Sequence, residues 1–161
     1  MKKIGVIGIG NTLREDDGVG IFLLNKLIKI KDKLPKNIDY INGGISGINL
    51  IHIISKYNLV IIIDAVNFDN EFEDSKLFDF LDIETNKSQI KLSIHEDDIY
   101  NIISLSKEIY KKPEKAYIFG VKIFKIGYAD SLSKNLEEKI PMILDELIKK
   151  LNEVLLLKEN L

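Results

Sequence analysis

The chain has no cysteine, which excludes a disulfide framework, a zinc ribbon, a thiolate nucleophile and iron–sulfur ligation. Any metal must be held by oxygen and imidazole. Net charge is nearly absent as well: 23 Lys and Arg stand against 25 Asp and Glu, leaving −2 at pH 7. No global field therefore draws the protein to nucleic acid or anionic lipid. Long apolar runs are also missing. The longest unbroken one, residues 59–63, falls far short of the roughly 20 residues that cross a bilayer. The basic-then-apolar start is short, broken by glycines and without a small-residue cleavage site, so it reads as a first strand and not as a signal peptide. The expectation is a cytoplasmic protein with neither nucleic acid nor membrane as partner.

What is present is enough apolar material for a core. Of 161 residues, 45% are hydrophobic, sufficient to bury about two thirds of the surface that the unfolded chain exposes. One domain over residues 1–161 is expected. Residues 3–9 form an apolar run closed by glycines, and from Gly18 onward Val19, Ile21, Phe22, Leu24, Leu27 and Ile28 recur at helical spacing. Residues 37–41 read as a second strand closed by Asn42-Gly43-Gly44. A short helix carrying Ile48, Leu50, Ile51, Ile53 and Ile54 follows. The β-branched run at 59–63, ending at Asp64, has the pattern of a central parallel strand covered on both faces.

After Ala65 the rhythm changes. Residues 65–75 are too polar and too short for a packed crossover helix, so residues 76–81 are expected to run antiparallel to their neighbours. Residues 97–110 return to helical spacing, and residues 115–121 read as the last main strand. Ser133 is placed to cap a final helix with a long apolar face interrupted by Pro141, where a kink is expected. The alternation predicts a three-layer α/β/α sandwich around a mostly parallel five-stranded sheet with one antiparallel strand.

Two stretches invite a chemical reading. Gly8-Ile9-Gly10-Asn11-Thr12-Leu13 resembles a dinucleotide-binding turn but puts Leu13 where the third glycine belongs. The second strand ends in Asn42 and not in an acid for a ribose hydroxyl. No nucleotide cofactor is expected. The acidic run Glu15-Asp16-Asp17 would ordinarily be a solvated helix N-terminus, but topology gives it company. Asp17 follows the carboxyl end of the first strand and Asp64 closes the third. A helix leading into the strand at 115 must begin on that same rim, which brings His95 there. Two carboxylates and an imidazole suit nickel or zinc with a coordination position left open. His52, among isoleucines on the short helix, reads as a structural or surface residue.

These residues resemble the maturation endopeptidases of nickel–iron hydrogenases. The likeness runs through Gly8-Ile9-Gly10-Asn11-Thr12-Leu13-Arg14-Glu15-Asp16-Asp17-Gly18-Val19-Gly20, then Asn42-Gly43-Gly44-Ile45-Ser46-Gly47, Ile63-Asp64-Ala65-Val66 and Ser93-Ile94-His95. It implies that Asp17, Asp64 and His95 engage nickel carried by the substrate. That substrate would be a hydrogenase large-subunit precursor, cut to remove a C-terminal extension after nickel insertion. Asn11, Asn42, Gly43 and Gly44 count as candidate substrate-binding residues, and a monomer is expected. Asn42 stands where the family commonly has aspartate, and Ile45 where it has threonine. Val121-Lys122-Ile123 departs from the glycine–isoleucine–acid–proline pattern often seen after the last strand. An asparagine cannot serve as a carboxylate base. No Gly-x-Ser-x-Gly elbow is present and Ser46 lacks a plausible histidine partner nearby in sequence, His52 reading as structural or surface, which argues against a serine mechanism. A resident-zinc hydrolase of small amides or peptides and a non-catalytic holder of precursor tails are the rival readings.

Overall fold

The computed structural model describes residues 2–45, 47–67, 73–85 and 96–159. In chain order these form β1 (Ile4–Ile9), α1 (Val19–Lys29), β2 (Ile38–Gly44), α2 (Leu50–Ile54), β3 (Leu59–Val66), β4 (Ser75–Asp79), α3 (Phe80–Thr85), α4 (Glu96–Tyr110), β5 (Lys115–Lys122) and α5 (Lys134–Glu159). A 3-10 turn at Glu15–Gly18 precedes α1. The five strands make one sheet in the order β2-β1-β3-β5-β4. All neighbours are parallel except β4, which runs antiparallel to β5.

Helices cover both faces. On one, α1 and α5 pack Leu23, Leu24, Leu27, Leu136, Ile143 and Leu147 against Val6, Ile61, Ile63 and Phe119. On the other, α2, α3 and α4 bring Leu50, Ile54, Phe80, Ile83, Ile99 and Ile103 onto Ile7, Val60, Ile62 and Ile118. β3 lies between both layers and is buried at every residue, which accounts for its unbroken apolar sequence. The three-layer, mostly parallel sandwich is as the alternation of elements predicts.

Several boundaries differ, for identifiable reasons. β3 does not stop at Asp64. β5 pairs with it as far as Val66, whereas β1 leaves the ladder at Gly8 opposite Ile63. β2 runs on through Asn42 to Gly44, with a register shift between Gly8 and Ile9 that keeps it beside β1. The antiparallel strand covers Ser75–Asp79, and the residues after it turn into α3. There Asp79 Oδ1 accepts the Leu81 amide at 2.9 Å, while Phe80 and Ile83, three apart, bury against the sheet. Ser133 caps α5 as expected: its Oγ accepts the Leu136 amide (3.4 Å) and its carbonyl the Glu137 amide (2.9 Å). α5 continues through Pro141 as a single element.

Candidate functional site

In a parallel sheet the carboxyl ends of the strands share one rim, and the crevice opens where successive connections leave in opposite directions. Here β1 connects to β2 on one side, and β2 crosses over to β3 on the other. The crevice therefore lies between the ends of β1 and β3. It is deepened because β1 stops pairing at Gly8 while β3 continues three residues past Ile63. Asp64 is the first residue of β3 beyond that step, 4% exposed.

The β1–α1 loop folds over this step through its glycines. Gly10 has φ +136°, and a Cβ there would overlap the Asp17 carbonyl; its amide donates to the Gly44 carbonyl at 2.9 Å. Gly20 lets the first turn of α1 press onto the Ile9 and Ile63 carbonyls, where a Cβ would collide with both. The close helix-to-strand approach that Leu13 cannot provide is thus made seven residues later in the chain.

The predicted residues assemble as follows. Asp17, 2% exposed, accepts the Asn11 amide on Oδ2 (3.2 Å). The Asn11 side chain is turned onto its own loop, with Oδ1 accepting the Leu13 amide (3.0 Å). Asn42 Oδ1 accepts the Gly44 amide (2.9 Å). The acceptor function that an aspartate would fill in this turn is thus supplied by the amide oxygen, while the charge and basicity of a carboxylate are absent. Gly8 pairs with Asn42 and Ile9 with Gly44, which sets Gly43 and Gly44 alongside the glycine loop. Asn11, Asp17, Asn42, Gly43, Gly44 and Asp64 thus occupy one rim. His95 lies outside the described residues, as does Ser46. Among the described residues no group of three His, Cys, Asp or Glu side chains is arranged to hold a metal ion. His52 is exposed on α2, with Nδ1 3.3 Å from the Tyr110 hydroxyl of α4.

One part of the acidic run reads differently from a solvated helix start. Asp16 is fully buried and its carboxylate takes four hydrogen bonds. The Phe124 (2.9 Å) and Lys125 (2.8 Å) amides and the Ser133 hydroxyl (2.9 Å) donate to Oδ2, and the Ser133 amide (2.7 Å) to Oδ1. The segment between β5 and α5 is thereby strapped across the motif. The strap is reinforced by the Glu15 amide on the Ala129 carbonyl (3.0 Å) and by Lys125 Nζ 3.6 Å from Glu15 Oε1. Adjacent aspartates have divided tasks: Asp16 fastens the loop, and Asp17 stands at the crevice. The sequence signal for this was the serine just before the last helix, which needs a partner for its hydroxyl proton.

A family model described as HycI, hydrogenase maturation protease, matches residues 23–150, and the chain belongs to that family. The match begins beyond the glycine-acid motif, so it is independent of Asp17. The hydrogenase expression/formation protein HupD of Rhizobium leguminosarum bv. viciae is 25% identical over 118 residues, 73% of this chain and 58% of that protein. HupD of Thiocapsa roseopersicina is 25% identical over 145 residues, covering 86% and 62%. The chain therefore spans about three fifths of the length of these curated relatives. The fold is that of the hydrogenase maturating endopeptidase HybD from E. coli, with TM-score 0.75 at 21% identity over 94% of this chain and 93% of that one.

Proposed function

We propose that the chain is an endopeptidase that removes the C-terminal extension of a nickel-loaded hydrogenase large-subunit precursor. Membership of the hydrogenase maturation protease family supports the precursor as substrate. The observation that carries the nickel reading is the placement of two buried carboxylates, Asp17 and Asp64, at one step in the sheet rim. His95 directly precedes α4 in sequence and is the imidazole of the proposed set. Oxygen, oxygen and nitrogen donors match a divalent ion of borderline hardness.

Nickel enters as cargo of the substrate, so metal loading becomes a condition of productive binding. The ion polarises the scissile carbonyl or acidifies a water, and a rim carboxylate takes the proton. Asn42 leaves that task to Asp17 or Asp64. Gly43 and Gly44 flank the crevice as substrate-binding positions, the Gly44 amide and carbonyl being already bonded within the rim to Asn42 and Gly10. The protein works as a monomer in the cytoplasm; among the described residues no helix is long and apolar enough to cross a membrane.

The test is to incubate the protein with nickel-loaded and nickel-free precursor and weigh the products. Shortening of the loaded form alone is expected. An intact loaded precursor that nevertheless co-purifies with the chain would replace proteolysis with simple holding of the tail. Stoichiometric zinc in the freshly purified protein would point to a resident-metal hydrolase.

A further inference from the structure

Arg14 is the only arginine among 23 basic residues, and it sits in the rim loop three residues before Asp17. Its backbone is held from both sides: its amide donates to the Asn11 carbonyl (3.1 Å), its carbonyl accepts the Asp17 amide (3.3 Å), and it bridges to Ala129 of the strap. The side chain is half-buried, with the guanidinium carbon 5.7 Å from the centre of the Tyr128 ring. Tyr128 itself is 91% exposed, so the pair faces outward at the rim.

Three acids follow Arg14 in sequence, yet each is engaged elsewhere. Glu15 lies beside Lys125, Asp16 is taken by the strap and Ser133, and Asp17 accepts the Asn11 amide. Among the described residues no carboxylate forms an ion pair with Arg14, and its Nε is buried with no acceptor. A guanidinium is permanently charged, and leaving that donor dry and unmatched is costly. Lysine serves everywhere else in this chain. What arginine adds is a planar fork that fits a carboxylate with two parallel hydrogen bonds.

We propose that Arg14, backed by the Tyr128 ring, is a carboxylate-binding subsite that anchors the substrate polypeptide next to the crevice. The inference rests on the reading of the chain as acting on a precursor tail, and it adds the feature of that tail being gripped. The carboxylate is either the terminal one of the extension or an acidic side chain within it. Arg14 and Lys125 offset two of the three acids of this loop, Glu15 and Asp16, which leaves Asp17 at the crevice as the remaining negative charge.

Because Arg14 is unique, isotopic labelling of arginine alone gives the full chain a single guanidinium Nε–H resonance. We would titrate it with the synthetic C-terminal tail of a hydrogenase large-subunit precursor in three forms: native, amidated at its terminus, and with acidic side chains converted to amides. The native tail is expected to shift the resonance, and whichever neutralised form fails to do so identifies the source. Arg14→Gln is expected to bind the native tail roughly tenfold or more weakly, about the worth of one charged hydrogen-bonded pair. Arg14→Lys, charged but without the fork, is expected to fall between. A resonance unmoved at saturating native tail, or Arg14→Gln binding as tightly as the wild type, would overturn the subsite. Cleavage measured in parallel separates the two readings. A chain that cuts the loaded precursor while its resonance stays silent loses the subsite and keeps the activity. One that shows the carboxylate-dependent shift but cuts nothing keeps the subsite and loses the activity.

Discussion

Asp16 and Ser133, 117 positions apart in the chain, are joined by two hydrogen bonds, one from the serine amide at 2.7 Å and one from its hydroxyl at 2.9 Å. Through them the loop after β1 and the first turn of α5 become one unit. Replacing Asp16 by alanine strands three backbone donors in a dry setting. A loss of about 3 kcal/mol or more is expected, read as a lowered midpoint in urea unfolding. Ser133→Ala is expected to cost about 1–2 kcal/mol through the lost cap and hydroxyl. Because the two side chains share an interaction, the double variant is expected to lose less than the sum. Strict additivity would mean that the clasp does not couple them.

At Gly20 any side chain meets the Ile9 and Ile63 carbonyls. Gly20→Ala is therefore expected to push the start of α1 off the sheet and to destabilise by about 2–4 kcal/mol, despite alanine's better helix propensity. A thermal melt unchanged from wild type would show that α1 can retreat without penalty.

The site variants are expected to behave in the opposite way. Asp64→Asn and His95→Ala are each expected to abolish processing of the loaded precursor while leaving the urea midpoint close to wild type, because the rim contributes little to either core layer. Asp17→Ala is expected to abolish processing and to cost a further few tenths to about 1 kcal/mol at the helix start. Product masses and unfolding curves from the same preparations check both halves. Full cleavage by any one of the three would remove that residue from the ligand set.

An alkaline limit on stability is also expected. Burial, then the hydrogen bond and charge of Asp39, raise the Tyr57 hydroxyl above its ordinary value of about 10. Burial likewise raises Tyr40, and burial with the charge of Asp79 raises Tyr117. Each phenol holds its proton more firmly when folded. Their contribution is complete below about pH 10 and is lost as pH climbs through the raised values, where the unfolded chain has already shed its protons. Tyr57→Phe keeps the ring against Gly5 and gives up the 3.1 Å bond to Asp39. It is expected to cost about 1 kcal/mol at neutral pH and to flatten the fall above pH 10, as followed by urea midpoints across pH.

The sheet was legible because its strands carry their burial in their spelling. An eight-residue strand buried throughout can only be nearly all apolar, and the polar stretch before Ser75 announces a reversal of direction. Boundaries were less so, since they depend on the neighbour. Asp64 looks like the end of a strand, and β5 alone decides that it is not. Asp17 was placed by topology, whereas Asp16 next to it was not, because its partners at 124, 125 and 133 are remote and mostly backbone amides. Amides have no residue-type signature. Arg14 was legible as a composition fact and became informative only when each nearby acid was seen to be occupied.

The clasp has a bearing on how the protein is made. The rim loop lies within the first twenty residues, but the donors that set its shape emerge from the ribosome more than a hundred residues later. A nascent chain halted before Ser133 has Asp16 without the serine that anchors the strap, so the clasp on the rim loop closes only when the beginning of α5 has been translated. Proteins cut short in synthesis would carry the opening motif in full and still lack the loop geometry that the clasp imposes on it.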